Sequence, residues 1–197
     1  LVEIWHLCFS DPKGLADGYQ AIWDGACADP RSGFSDARAR YNRTGDPVSL
    51  LYLLARCVKN APRFAADGRF NQSADHRRLG RKPKTMRRAA TQLSALLAER
   101  CTAICGDFEA LCQQAGPDDL VYLDPPWVGT TVGPDKRYHS GLAQQRLVSV
   151  LETLVDRKVP WILSYDGRTG GRRYGSQLPQ SLGALHFEID AGLSSQE

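Results

Sequence analysis

No apolar run in this 197-residue sequence approaches the ~18 residues of a membrane-spanning helix, so a helical span is not expected. No basic-then-apolar leader opens it, and a cytoplasmic protein is expected. The six cysteines, Cys8, Cys27, Cys57, Cys101, Cys105 and Cys112, include no Cys-x-x-Cys pair. That spacing argues against the common zinc and dithiol frameworks and leaves reduced core thiols as the expectation, with no metal implied. Internal repeats and low-complexity tracts are missing too. What is left is ordinary for one soluble domain: 42% of the residues are hydrophobic and the formal net charge is +3.

That small charge is unevenly placed. From Arg56 to Arg100 there are twelve Lys or Arg against three Asp or Glu, a local net of +9 that leaves −6 for the rest of the chain. A run such as Arg77-Arg78, Arg81-Lys82-Pro83-Lys84 and Arg87-Arg88 is more often a solvated face than a ligand site. Here it is interleaved with Phe64, Phe70, Asn71 and Gln72, side chains able to stack on bases or read their edges, and phosphate binding is the expected use.

The sharpest local signal lies further on. Leu120-Val121-Tyr122-Leu123 is a short apolar run between Gly116-Pro117 and Asp124-Pro125-Pro126-Trp127, and it reads as a buried strand that stops at its carboxyl end. Ligands of open α/β sheets sit at that end. Pro125 and Pro126 have fixed φ and no N–H, so they stiffen the chain and leave their carbonyls free to accept hydrogen bonds. Asp124, ionised, only accepts. A carboxylate and a neighbouring carbonyl that point the same way grip both hydrogens of one amino group, and Trp127 offers a face to the planar ring that carries it. Such an amine is a poor nucleophile while its lone pair is delocalised. Two acceptors draw the nitrogen toward tetrahedral geometry and align it with a methyl donor. A strand ending in a proline turn with a buried Trp is the plain alternative.

In chain order, Leu1, Ile4, Trp5 and Cys8 fall at helical spacing. Residues 10–46 read as helix and loop, with Tyr19, Ile22 and Trp23 starting a second helix; Pro47 through Cys57 reads as a buried helix and Thr91 to Glu99 as another. Ala103-Ile104-Cys105 is expected to be a strand that delivers Asp107 and Phe108 to the crevice that Asp124 lines, although Asp107 is equally a helix N-cap. Residues 128–140 read as a long polar, Gly-rich loop with Tyr138-His139 at its far end, His139 being read as a surface residue rather than a base. Leu142 to Asp156 is a helix with Leu147, Val150, Leu151, Leu154 and Val155 on one face; Val159 to Tyr165 and Ala184 to Asp190 are strands.

Four motifs occur together in one order: Phe70-Asn71-Gln72-Ser73, Cys105-Gly106-Asp107-Phe108, Asp124-Pro125-Pro126-Trp127 and Leu163-Ser164-Tyr165-Asp166-Gly167-Arg168. Over nearly the whole chain they resemble the Dam-type class of adenine-specific DNA methyltransferases. Trp127 stands where that family usually has Tyr, keeping the stacking face without the hydroxyl. The resemblance implies an α/β, Rossmann-like S-adenosylmethionine-dependent methyltransferase sheet, four strands of it in this chain, with a helical DNA-recognition insertion.

The resemblance also implies three parts: 1–48, helical and loop, after absent amino-terminal strands; 49–100, the basic insertion; and 101–197, the catalytic core. Asp124, Pro125, Pro126 and Trp127 are the implied catalytic residues, and Asp107 and Phe108, with Asp124, the implied cofactor contacts. Arg63 matches a base-reading arginine, and Lys59 and Asn71 are taken with it for DNA contact. Arg78, Lys82 and Lys84 are taken for phosphates, and Tyr138 and Tyr165 for the target-base pocket. For Asn71 a turn cap competes, and for Tyr165 a core aromatic.

The family's Phe-x-Gly-x-Gly turn and acidic ribose-binding residue are not in this sequence, nor its terminal hairpin, so a fragment is expected. Double-stranded DNA is the implied partner; a cognate restriction endonuclease and an amino-terminal segment or chain are further ones. Three alternatives stay open. They are a cytosine 4-amino methyltransferase, which commonly has Ser at the position of Asp124; a protein glutamine methyltransferase, which commonly has Asn; and a non-catalytic DNA-binding subunit or degenerate relative.

Overall fold

Three Asp-Pro pairs set the architecture of the first hundred residues. Helix α1 (Val2–Ser10) is followed by α2 (Pro12–Ala28), α3 (Pro30–Thr44) and α4 (Pro47–Arg56), and the last three each begin with proline behind an aspartate. The carboxylates of Asp11, Asp29 and Asp46 accept the N–H groups of Gly14, Ser32 and Ser49 at 2.8, 3.2 and 2.9 Å. Proline at N1 gives up an N–H that had no partner, and aspartate satisfies one that did need it. Residues 10–46, expected to be partly loop, are therefore two long helices.

The computed structural model describes residues 1–58, 62–75, 77, 79–125, 144–165, 168–169, 172–173 and 177–189, which divide into two units, Leu1–Cys105 and Gly106–Glu197. Within the first unit α3 packs on α4 and α2 on α5 (Pro83–Leu97), so helices on both sides of position 48 share one core. Helix α5 begins at Pro83 rather than near Thr91, because a proline at N1 starts it inside the Lys/Arg run. Tyr19, Tyr52, Leu53, Cys57 and Phe70 are buried at the centre. Helices α2 and α3 touch at Gly33, where an added Cβ would lie 2.5 Å from the Ala26 Cα.

Between α4 and α5 the described residues make an antiparallel excursion. Cys57 pairs with Ala74 and Phe64 with Phe70. The Gly68 N–H closes a turn on the Ala65 carbonyl at 2.9 Å, and Gly68 has φ +81°, a conformation that costs a side chain ~1 kcal/mol or more. The root is fixed by buried polar groups. Arg56 donates to the Asp75 carbonyl at 2.7 Å, the Asp75 N–H donates back to the Arg56 carbonyl at 2.9 Å, and the Tyr19 hydroxyl donates to the Arg81 carbonyl at 2.6 Å.

The second unit contains α6 (Phe108–Cys112), β1 (Val121–Leu123), α7 (Gln144–Asp156), β2 (Trp161–Leu163), the short antiparallel pair β3 (Arg168–Thr169) and β4 (Arg172–Arg173), and a 3-10 turn at Gln180–Leu182. Strands β1 and β2 are parallel, with Val121, Tyr122 and Leu123 opposite Trp161, Ile162 and Leu163. Helix α7 buries Leu147, Val150, Leu151 and Leu154 against Val121, Leu123, Trp161 and Leu163, while Val155, expected on that face, is exposed. The helix ends with Lys158 at φ 57° and the Val159 N–H on the Leu154 carbonyl at 2.9 Å, which turns the chain directly into β2.

Three strand expectations are corrected. Leu120 and Tyr122 are 62% and 61% exposed, so the run expected to be buried is covered on one face only. Residues 103–105 and 184–189 adopt no strand among the described residues, and Ile104, Leu185, Phe187 and Ile189 are exposed. Alternating apolar residues mark a strand's face, but a ladder needs a hydrogen-bonded neighbour, and sequence periodicity does not supply one. The cysteines also divide: Cys8, Cys57 and Cys112 are buried, whereas Cys27, Cys101 and Cys105 are exposed and are not core thiols. No helix among the described residues is long and apolar enough to cross a membrane.

Candidate functional site

The carboxyl edge of the parallel ladder carries the first group of candidates. The Ser164 N–H donates to the Leu123 carbonyl at 2.9 Å, so the ladder runs to the residue before Asp124. By that register Asp124-Pro125 and Ser164-Tyr165 leave the sheet side by side. Asp124 is exposed, and among the described residues its carboxylate makes no hydrogen bond. Pro125 and Tyr165 are half-buried, Tyr165 against the α7 cluster. Pro126, Trp127, Tyr138 and His139 lie outside the described residues.

Asp107 and Phe108 stand at the start of α6. The Asp107 carboxylate accepts the Glu109 N–H at 3.0 Å, so the N-cap role is present. It also accepts the Arg146 guanidinium at 2.6 Å, and Arg146 reaches Glu109 at 3.0 Å and lies 5.2 Å from the centre of the Phe108 ring. The guanidinium first, then the Glu109 N–H, hold the Asp107 carboxyl below the usual carboxylate range. At the other end of α6, Arg157 donates to the carbonyls of Cys112, Gln113 and Ala115 at 3.4, 3.0 and 2.7 Å. Two arginines from α7 and its end thus hold both termini of the short helix. Neither was singled out from sequence: Arg146 and Asp107 are 39 residues apart, and no local pattern announces such a pair.

In the first unit the excursion brings Arg63 and Asn71 together. The Asn71 N–H donates to the Arg63 carbonyl at 2.7 Å, and both residues are exposed. Among the described residues the Asn71 side chain caps no turn and Arg63 has no ion pair. The neighbouring cations differ: Arg69 is bound to Asp67 at 2.6 Å, Arg77 to Asp75 at 3.3 Å and Arg87 to Asp17 at 2.6 Å. Lys82 and Lys84 are exposed at the N-terminus of α5, where no acidic residue occupies the first turn and no side chain caps the helix. Lys59 and Arg78 lie outside the described residues. No group of three or more His, Cys, Asp or Glu is placed to hold a metal among the described residues.

Comparison with known proteins gives this arrangement a context. A family model described as D12 class N6 adenine-specific DNA methyltransferase matches residues 2–189. The type II methyltransferase M.FokI of Planomicrobium okeanokoites is 27% identical over 142 residues, 67% of this chain and 21% of that protein. The DNA N-6-adenine-methyltransferase of Escherichia phage P1 is 27% identical over 161 residues, 77% of this chain and 19% of that protein. The chain spans about a fifth of the length of each of these curated relatives.

Proposed function

From the premise that the chain belongs to the D12 class N6 adenine-specific DNA methyltransferases, we propose that the protein methylates the 6-amino group of an adenine in duplex DNA, with S-adenosylmethionine as donor. The observation that carries the reading is the place of Asp124-Pro125: at the carboxyl edge of a parallel ladder, beside Ser164-Tyr165, with Asp124 exposed. We take that ladder as part of a Rossmann-like methyltransferase sheet.

Inside a duplex the amino group cannot be approached along the transfer axis, so the base is flipped out. Asp124 and the Pro125 carbonyl accept its two N–H hydrogens, Pro126 stiffens the corner, Trp127 stacks on the ring and Tyr165 borders it. Directing both hydrogens into fixed acceptors points the nitrogen lone pair at the incoming carbon. The donor supplies an electrophilic methyl group when bound. The proton shed by the methylated nitrogen leaves to solvent or to Asp124.

Asp107 and Phe108 suit the adenine end of that donor in kind, an exposed acceptor next to a half-buried ring. Arg146 now covers both, through contacts that are exposed and so weakly held. Duplex DNA is the proposed partner, gripped through Arg63, Asn71 and Lys59 near the base edges and Lys82, Lys84 and Arg78 at phosphates, with Tyr138 near the target base. The two lysines support this, because cations at a helix N-terminus oppose its dipole, a local conflict typical of functional positions. A companion restriction endonuclease belongs to the same proposal.

Transfer of labelled methyl from S-adenosylmethionine to DNA, RNA and protein tests it. Label recovered as N6-methyladenine is expected. Label on cytosine or on protein would overturn the reaction, and duplex binding without transfer would favour a binding subunit.

A further inference from the structure

Asn42, near the carboxyl end of α3, makes two hydrogen bonds to one backbone residue. Its side-chain carbonyl accepts the Phe70 N–H at 2.8 Å and its amide donates to the Phe70 carbonyl at 3.2 Å. The primary amide thereby imitates one rung of a β-ladder, which only a side chain with a donor and an acceptor in one plane can do.

The excursion shows why that rung is needed. Phe64 and Phe70 face each other across the two strands, and the bonds beside them run from the Ala65 N–H to the Arg69 carbonyl, 2.8 Å, and from the Asn71 N–H to the Arg63 carbonyl, 2.7 Å. Phe64 and Phe70 are therefore a non-hydrogen-bonded pair, and the Phe70 backbone groups point away from the partner strand, toward the open edge. Asn42 closes that edge. The Phe70 ring is buried against Phe34 and Tyr41 of the same helix and against Phe64. Side chains alternate along a strand, so Arg63, Arg69 and Asn71, all exposed, stand on the face opposite Phe64 and Phe70.

We propose that Asn42 is a positioning residue for sequence discrimination: by pinning Phe70 to α3 it fixes the register and height at which Arg63 and Asn71 are presented, without touching DNA itself. This rests on reading that face as a DNA contact, and the experiment separates the two. Asn42→Ala, Asn42→Asp, Arg63→Ala and the Asn42/Arg63 double alanine variant are compared with the parent full chain by two readouts, hydrogen exchange of the Phe70 and Asn71 amides and the distribution of methylated sites over plasmid DNA.

For Asn42→Ala the Phe70 amide is expected to exchange ~10-fold faster while amides in α4 and α7 keep their rates. Methylation is expected to spread, by a similar factor, to sites differing from the preferred sequence at one base. Arg63→Ala is expected to relax the same position, and the double variant to go no further than Arg63→Ala, because Asn42 acts through it. Asn42→Asp keeps the acceptor for the Phe70 N–H but sets an acceptor-only oxygen against the Phe70 carbonyl, and is expected to give a change of the same kind; it serves where the alanine variant does not fold. An unchanged Phe70 exchange rate overturns the proposal. So does faster exchange with an unaltered site distribution while Arg63→Ala broadens it. If Arg63→Ala itself leaves the distribution unaltered, the DNA-contact reading of this face fails and the positioning role falls with it.

Discussion

Replacing Phe70 by alanine tests whether the excursion between α4 and α5 is part of the core or an appendage to it. Phe70 is 2% exposed, and its ring centre lies 6.4, 6.5 and 5.6 Å from those of Phe34, Tyr41 and Phe64. Truncating a buried Phe costs ~3–5 kcal/mol through lost transfer energy and the cavity left behind. The two bonds from Asn42 go to the backbone and survive the substitution, which places the loss toward the lower end, ~3 kcal/mol. Phe70→Leu keeps most of the volume and forfeits the edge-on ring contacts, for ~1–2 kcal/mol. In urea, with a slope of ~2 kcal/mol per molar, the alanine variant should shift the midpoint of the transition reported by Trp5 and Trp23 by ~1.5 M. A loss below ~1 kcal/mol for alanine, or a larger loss for leucine than for alanine, would refute this account of the first unit's core.

Gly33→Ala places a Cβ 2.5 Å from the Ala26 Cα and should destabilise by ~1–3 kcal/mol, whereas Gly25→Ala, with nothing within 4 Å, should be neutral or stabilise by ~0.5–1 kcal/mol; thermal melts separate the two. Tyr19→Phe removes the donor to the Arg81 carbonyl and should cost ~1–2 kcal/mol at neutral pH. Burial pushes the Tyr19 hydroxyl up to about 12. The folded state therefore keeps a proton that the unfolded chain releases near pH ~10, so Tyr19's contribution is full below that pH and is lost as pH rises toward about 12, by ~1.4 kcal/mol per unit. Alkaline urea titrations should show a shallower slope in the Phe variant than in the parent, the remainder coming from Tyr52, whose hydroxyl is also pushed up by burial. Asp107, held below its ordinary range by Arg146, stabilises above the unfolded Asp value of ~3.9 and loses that contribution as pH falls through its lower folded value. In Arg146→Met the carboxyl-carbon NMR titration of Asp107 should move back up.

Much of the second unit could be read from residues in order, because its signals are local. Leu147, Val150, Leu151 and Leu154 mark α7 by spacing alone, and Asp124 at the end of an apolar run marks the carboxyl edge of β1. In the first unit the apolar density of α4 is equally plain, whereas the Asp, Gly and Pro content of residues 10–46 reads as part loop although Asp11-Pro12 and Asp29-Pro30, an N-cap followed by N1 proline, are helix starts. The 184–190 segment looks like a strand in sequence because its apolar residues alternate, and 103–105 because it is a short apolar run, yet a strand is a property of a pair. Arg146, Arg157 and Asn42 act across 39, 42 and 28 residues on carboxylates or backbone groups, and such contacts leave no mark on either partner's surroundings in the chain. Arg63 and Asn71 are taken together as DNA contacts from sequence; that they are cross-strand neighbours depends on the turn at Gly68.

Asp124→Ala in the active, full-length protein is the most direct test of the central claim, with methyl incorporation into adenine of duplex DNA measured at saturating DNA and S-adenosylmethionine. If Asp124 is one of two acceptors that orient the amine, the turnover rate should fall ~10²–10³-fold or more while duplex binding persists. Incorporation at the parent's rate would contradict the account.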